Sequence, residues 1–363
     1  MSTLRVTSEC LTVHPHPNAD RLELAQVGLY RAVVAKDQFA TGDHAVYIPE
    51  QAIVPTALIE ELGLTGRLAG RERNRVKAVR LRGEVSQGIV CRPEQLRGVD
   101  LAQAAAAGTD FAELLGITKW APPVPVSMSG QVESAPDLLR WVDIENIARY
   151  PDIFEPGEPV VATEKIHGTA CLMTHVRDGD RVLVSSKGVG AQSLAITRAE
   201  GNLYWRAVTR FGLAGVAREL AAALNADRVA LFGEVYGAGV QDLHYGASAQ
   251  HDDTLGYALF DVAVDIAGSA RRWLSSAEID SSLGDLGVEV PRVPVLFEGP
   301  YDIDALLRLA VGTETITGTA ANIREGLVVR SATERYSTVL GGRAIGKLVS
   351  PAYLLRDGGT EYE

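Results

Sequence analysis

The sequence predicts an α+β protein of two domains, a small β-barrel in front and a larger domain behind it in which strands and helices mix. Three observations carry that expectation. The chain has 363 residues, more than a single hydrophobic core usually organises. Its first hundred residues alternate short apolar runs with Gly, Pro, Asn and Asp turn signals at the spacing of a small barrel. From residue 138 onward, strand-like runs are interleaved with helical periodicity.

The front region reads as follows. "LRVTSECLTVHPHP" is a strand candidate that ends in prolines. "LELAQVGLYRAVVAK" gives two apolar runs around Gly28. "ATGDHAVYIP" is a turn at Gly42 and Asp43 leading into a strand that stops at Pro49. "VKAVRLRGEVSQGIV" alternates, breaks at Gly83 and resumes. "LAQAAAAGTDFAELLG", 101 to 116, has helical composition. "APPVPVSMSGQVESAPD", 121 to 137, is rich in Pro, Ser and Gly and lacks a period, so it reads as a linker. The expected division is therefore 1–118, a linker at 119–137, and 138–363. In the second domain "LAGVARELAAALNA", 213 to 226, is an amphipathic helix preceding the strand "RVALFGEVYG".

Composition excludes several classes. No apolar run approaches the roughly 18 residues of a membrane span. "MSTLRVTSEC" lacks the charged and apolar regions of a secretory signal. Cys10, Cys91 and Cys171 are far apart, form no zinc spacing and suit a reducing cytoplasm. The net charge of -11 argues against a non-specific nucleic-acid coat. Yet "GRLAGRERNRVKAVRLRG", 66 to 83, concentrates Arg67, Arg71, Arg73, Arg75, Lys77, Arg80 and Arg82 against Glu72 alone. That run reads either as a solvated loop and strand edge or as a phosphate-binding stripe.

The chemistry-bearing residues lie in short blocks of the second domain: "EKIHG" at 164–168, "SSKG" at 185–188, "LFGEVYG" at 231–237, "YALFDV" at 257–262, "EGLVVR" at 325–330 and "GKLVS" at 346–350. In the first block, Lys165 sits where the apolar strand "PVVAT" meets Gly168, which favours partial burial. An amine with the free pKa of about 10.4 is neutral only about four times in ten thousand at pH 7. A pKa tuned to ~7–8 recovers a neutral fraction of roughly 10–50% and makes lysine a nucleophile. Burial and a nearby cation both push in that direction.

These ordered blocks resemble the covalent nucleotidyltransferases, ATP-dependent ligases and capping enzymes, whose catalytic domain is ATP-grasp-like. Glu-Lys-x-His-Gly-Thr, the barrel in front and the stretch "GVQDLHYG" resemble the Deinococcus-type RNA ligases that seal nicks. The resemblance implies a lysyl-AMP formed by Lys165 from ATP, transfer of AMP to a 5′-phosphate at a nick, and sealing by the 3′-hydroxyl. It implies that Glu164 helps read the adenine edge and that His167 faces the phosphates. Gly168 would allow close approach of the backbone to the nucleotide. Lys187, where relatives often carry arginine, would hold ribose or the substrate 5′-phosphate. Glu234 and Glu325 would bind Mg²⁺, with Mn²⁺ as a substitute. Phe260 would stack on the purine, and Lys347 would meet the α-phosphate. The implied partner is a nicked RNA duplex or RNA–DNA hybrid, with no membrane and no obligate protein partner.

Two departures stand out. Relatives often carry two lysines in the last block, where this chain has Ile345 and Val349 around Lys347. Nick-sealing relatives often have Asn two residues after the motif glycine, where this chain has Ala170. Relatives that close over the triphosphate typically carry a further barrel behind the last block, whereas 16 residues follow Lys347 here, and that favours the RNA ligase reading. The alternatives are a DNA ligase, a GTP-dependent capping-type guanylyltransferase, and an RNA-binding protein whose catalytic domain no longer works. In front, "VHPHPNADRLELAQV" is similar to the opening of tRNA-binding OB-fold modules, so the barrel is expected to be OB-fold-like and to bind RNA through Arg71, Arg73, Arg75, Lys77, Arg80 and Arg82. Pro15 and Pro17 block helix, and Asn18 and Asp20 favour turns. His14 and His16 lack the further ligands a metal would need.

Overall fold

A computed structural model describes residues 4–247 and 254–356. The chain divides into two compact units, residues 1–121 with 145–151, and residues 122–144 with 152–363. It therefore passes from one unit to the other three times. The seven-residue return segment is tied into the first unit. Leu29 donates its N–H to the Ala148 carbonyl at 2.6 Å, and Arg149 reaches the Thr7 hydroxyl at 2.8 Å and Glu9 at 3.5 Å. A Cβ on Gly28 would stand 2.7 Å from the Ala148 carbonyl oxygen, so only glycine admits this segment.

The first unit is built from short antiparallel strands. One sheet pairs Thr7–Cys10 with His44–Ile48 and the latter with Ile89–Cys91. Another runs Thr12–Pro15, Leu22–Val27, Tyr30–Ala35. The strand expected from residue 4 to the prolines is split at Leu11, whose side chain is buried and whose N–H bonds the Asp43 carbonyl. That bend moves the chain from one sheet to the next, as a small barrel requires. Val6, Val46, Ile48, Phe111 and Ile117 fill the core. The helix expected over 101–116 stops early and covers only Leu101–Ala106. Asp100 caps its start, Gly108 (φ +61°) ends it, and Asp110 is held by the N–H groups of Val6 and Ala112.

The second unit contains two antiparallel sheets. In one, the order is Arg181–Ser186, Thr169–Val176, Arg228–Tyr236, Gly256–Asp265, then Arg272–Trp273. One face of it is covered by the helices Leu203–Arg210, Leu213–Ala223 and Ser276–Leu286, which bury Cys171, Met173, Leu231 and Leu220 in a single core. Its other face carries Leu172, Ala230 and Phe232 and meets Leu139 and Trp141. In the second sheet, four strands run Ile345–Val349, Gly326–Ser331, Pro159–Lys165, Val295–Pro300. Residues 122–144 belong to this unit. Met128 and Leu139 are buried in it, and Val132–Ser134 pairs with Leu194–Ile196.

Candidate active site

Strand register explains why distant blocks meet. Lys165 pairs with Gly326, and Thr163 pairs with Val328, which pairs in turn with Lys347. Directly paired residues of antiparallel strands share a face. Lys165, Val328 and Lys347 therefore lie on one face, and all three are partly exposed. Ala162, Leu327, Val329 and Leu348 lie on the other, wholly buried. Glu325 stands just before its strand, opposite the end of the Lys165 strand. Lys165 Nζ is 2.7 Å from Glu325 Oε1, with the lysine side chain 25% exposed and the glutamate 8%. A Cβ at Gly326 would lie 1.9 Å from the Leu348 carbonyl oxygen, so the Glu-Gly pair is needed for Glu325 to take this position.

Glu234 joins them from the other sheet. Burial pushes its carboxyl up to about 8, Lys165 and Lys187 pull it down, and Glu325 pushes it further up. The backbone of Gly168 also bonds this carboxylate. Two carboxylates and two lysines thus share one electrostatic neighbourhood, in which bringing both acids to charge needs added positive charge. A Cβ on Gly168 would sit 2.2 Å from the Val235 carbonyl oxygen and 3.0 Å from Glu234 Cγ. The glycine is thus required by the protein's own sheet packing, apart from any nucleotide.

His167 is held on every side. Its Nε2 is 2.7 Å from Asp242 Oδ1, its Nδ1 is 2.9 Å from the Tyr353 hydroxyl and 3.9 Å from Glu325 Oε2. Its N–H donates to the Tyr245 hydroxyl at 2.9 Å. Arg356 pairs with Asp242 through two nitrogens, at 2.8 and 3.1 Å. Asp242, Tyr353 and Arg356 escaped the sequence reading. Asp242 lies within "GVQDLHYG", but a stretch of sequence gives no sign that it will meet a histidine 75 residues earlier.

Glu164 does not pair with its neighbour Lys165. It is buried on the opposite face, where its Oε2 accepts from the N–H and hydroxyl of Thr315. Burial raises its pKa against those two bonds. Phe260 occupies a β-bulge: Phe232 pairs with Asp261 and Gly233 with Leu259, so Phe260 has no partner in the ladder. Bulges re-aim side chains, and this one leaves the Phe260 ring partly exposed with Trp141 edge-on at 4.9 Å. Arg330 fixes the bulge by donating to the Phe260 carbonyl at 2.7 Å, and pairs with fully buried Asp261 at 3.1 Å. Arg343 pairs with the same carboxylate and stacks on Trp273. Lys187 caps the end of its strand and pairs with Asp143 at 2.7 Å.

The six nucleic-acid candidates lie in the first unit. Arg71, Arg73, Arg80 and Arg82 are exposed, whereas Arg75 and Lys77 are half-buried. Arg75 stacks over Trp120 at 3.9 Å. Among the described residues, no cluster of three or more His, Cys, Asp or Glu is placed to hold a metal, and no helix is long and apolar enough to cross a membrane.

The comparisons with known proteins agree with this geometry. A family model described as RNA ligase matches residues 158–349, more than half the chain, and an OB-fold domain model matches residues 4–93. No curated protein matches the sequence. Among solved structures, the Naegleria gruberi RNA ligase with PPi is similar over 97% of this chain and 98% of its own, at 25% identity and a TM-score of 0.78. A mutant of that ligase with ATP and Mn is similar over 96% of this chain and 98% of its own, at 25% identity and a TM-score of 0.77. Another, with AMP and Mn, covers 97% and 98% at 25% identity and 0.77. An OB-fold domain in front of two facing sheets, with the ordered blocks gathered on the second unit, is the architecture these matches share, and the chain belongs to the RNA ligase family.

Proposed function

We propose that this protein is an ATP-dependent RNA ligase that seals 3′-hydroxyl/5′-phosphate nicks through a lysyl-AMP, of the Deinococcus nick-sealing type. The observation that carries the reading is Lys165 Nζ held 2.7 Å from Glu325, with Glu234 in the same field. In the first step the Nζ lone pair attacks the α-phosphorus of ATP. A P–N bond forms, the P–O bond to the β-phosphate breaks, and pyrophosphate leaves. An oxygen of the RNA 5′-phosphate then attacks the same phosphorus and Lys165 departs as the amine. The 3′-hydroxyl finally attacks the 5′-phosphorus and AMP leaves. The duplex aligns the two ends, so positioning supplies much of the last step.

The residues fit a divalent cation. Glu325 Oε2 is buried without a hydrogen-bond partner, and Glu234 is kept protonated mainly by burial. Mg²⁺ commonly takes one or two carboxylates and completes its shell with water and substrate phosphates. Glu234 and Glu325 would hold it, or Mn²⁺ in its place, and the ion would neutralise phosphate charge. His167, held by Asp242 and Tyr353, faces the phosphates. Lys347, on the Lys165 face, meets the α-phosphate. Phe260 supports the purine on its bulge, while Glu164 anchors the 315 loop and leaves the adenine edge to the local backbone. Lys187, once released from Asp143, receives the 5′-phosphate or ribose. In this reading residues 1–118 bind the RNA and 138–363 carry the chemistry. The free cysteines Cys10, Cys91 and Cys171 suit a cytoplasmic setting.

The test is incubation with α-labelled ATP or GTP and Mg²⁺, followed by a denaturing gel. Label from ATP that disappears in Lys165→Ala, followed by sealing of a nicked RNA duplex, is the expected result. Label from GTP alone identifies a capping-type enzyme, sealing confined to DNA nicks identifies a DNA ligase, and no label leaves a binding protein.

A further inference from the structure

We propose that the turn at His16 and Asn18 is a dock for the basic hairpin of the first unit, and that it fixes Arg80 and Arg82 as a rigid contact for the phosphate backbone of an RNA duplex. The proposal rests on the RNA ligase reading and extends it to residues outside the catalytic blocks.

The hairpin pairs Val79–Leu81 with Glu84–Ser86, Leu81 facing Glu84, so Arg82 and Gly83 form a two-residue turn. Both have positive φ, +51° and +95°, as a type I′ turn demands. An arginine rarely adopts that conformation without support. The support comes from the histidine-proline turn. Asn18 Nδ2 donates to the Arg82 carbonyl at 3.0 Å. His16 Nε2 lies 3.2 Å from the Leu81 carbonyl. The Asn18 N–H donates to His16 Nδ1 at 3.1 Å, so Nδ1 is the acceptor and Nε2 carries the proton given to Leu81. A Cβ on Gly83 would stand 3.0 Å from Asn18 Nδ2, so the tip fits its dock closely. The base of the hairpin is fastened as well: Ser86 Oγ accepts from the Val33 N–H at 2.9 Å, and Gln87 N–H donates to the Arg31 carbonyl at 2.8 Å.

What this fixed hairpin presents is positive. Arg80 and Arg82 are exposed. Among the described residues neither they nor Arg67, Arg71, Arg73, Arg75 and Lys77 are paired with a carboxylate, in a chain of net charge -11. Exposed arginines elsewhere do find acids, as Arg97 finds Glu94 and Arg218 finds Asp180. A row of cations without counter-charges on a backbone held at both ends matches a polyanion whose charges are regularly spaced. The A-form major groove is too deep and narrow for side-chain readout, so contact with the phosphates is the mode open to it. Holding the tip beforehand lowers the ordering cost of binding.

The experiment uses the full chain and a fluorescent nicked RNA duplex, titrated over a range of salt. Arg80→Ala/Arg82→Ala is expected to weaken binding at least tenfold at low salt and to lower the slope of log K against log salt by about 2, roughly 0.9 for each phosphate no longer neutralised. Asn18→Ala, a surface change, is expected to weaken binding at least threefold with lysyl-AMP formation from ATP alone at the wild-type rate. Added to the arginine pair, it should weaken binding no further, because its effect passes through those arginines. Wild-type binding by Asn18→Ala, losses that simply add in the triple variant, or an arginine pair without effect each overturn the dock. A wild-type chain that forms lysyl-AMP but binds no duplex overturns it too, whereas one that forms no lysyl-AMP overturns the ligase reading itself.

Discussion

In the second unit Lys165, Lys187, Arg330, Arg343 and Arg356 each sit against a carboxylate, Asp261 serving two of them at full burial. In the first unit the seven cations between 67 and 82 meet none among the described residues, and Arg71, Arg73, Arg80 and Arg82 face solvent. The difference separates two uses of charge. Buried pairs fix geometry and shift pKa values, because a charge out of water is tolerated only beside its opposite. Exposed, unneutralised cations do little for stability and are available to phosphates.

The contrast can be broken most forcefully at Asp261. Asp261→Asn leaves Arg330 and Arg343 buried without their counter-charge, and is expected to destabilise the second unit by about 3–5 kcal/mol. At roughly 2–4 °C per kcal/mol for a unit of this size, calorimetry should record a fall in Tm on the order of 10 °C. A shift of a degree or two would mean the network is not what holds the Phe260 bulge.

Glu234 tests burial from the other side. Its folded carboxyl is raised from 4.5 to about 8, so it keeps its proton where the unfolded chain would release it. Its contribution to stability is complete below the unfolded value, declines as pH rises toward 8, and is flat beyond. Glutamine does not titrate. The Tm of Glu234→Gln relative to wild type, without nucleotide or metal, should therefore climb between pH 5 and 8 and then level. A pH-independent difference contradicts the desolvated carboxyl.

Gly168→Ala is next. A methyl group 2.2 Å from the Val235 carbonyl oxygen must displace a strand, at a cost of about 1–3 kcal/mol, read as a Tm lowered by several degrees. The smallest stability effect belongs to Arg71→Ala/Arg73→Ala, within about 0.5 kcal/mol of wild type. The same pair should still weaken binding to nicked RNA and flatten its salt dependence. Equal damage to Tm and to binding would erase the distinction between the two units.

Much of this organisation is legible in the sequence, and the parts that are not share a physical cause. The alternation around Gly28 and the stop at Pro49 mark local strands correctly, because turn chemistry is local. The helix over 101–116 is overextended because Asp110, gripped by Val6 from far along the chain, ends it. The order of the blocks singles out Lys165, Glu234 and Glu325, which the register then brings together. It is silent on Asp242, Tyr353 and Thr315, whose partners lie 75, 186 and 151 residues away. It is equally silent on the bulge under Phe260, since a skipped residue in a ladder leaves no mark on composition. The turn "HPHPNAD" is visible as a turn, while its role beneath the basic hairpin depends on a hydrogen bond spanning 64 residues.

The return of residues 145–151 to the front unit limits how the molecule can be taken apart. A fragment ending near 118 would lose the strip whose Ala148 carbonyl satisfies Leu29 and whose Arg149 reaches Thr7 and Glu9. A fragment starting near 138 would carry that strip with nothing to receive it. Any transplant of the RNA-binding module to another catalytic domain must therefore supply this seven-residue clip as a second, non-contiguous piece.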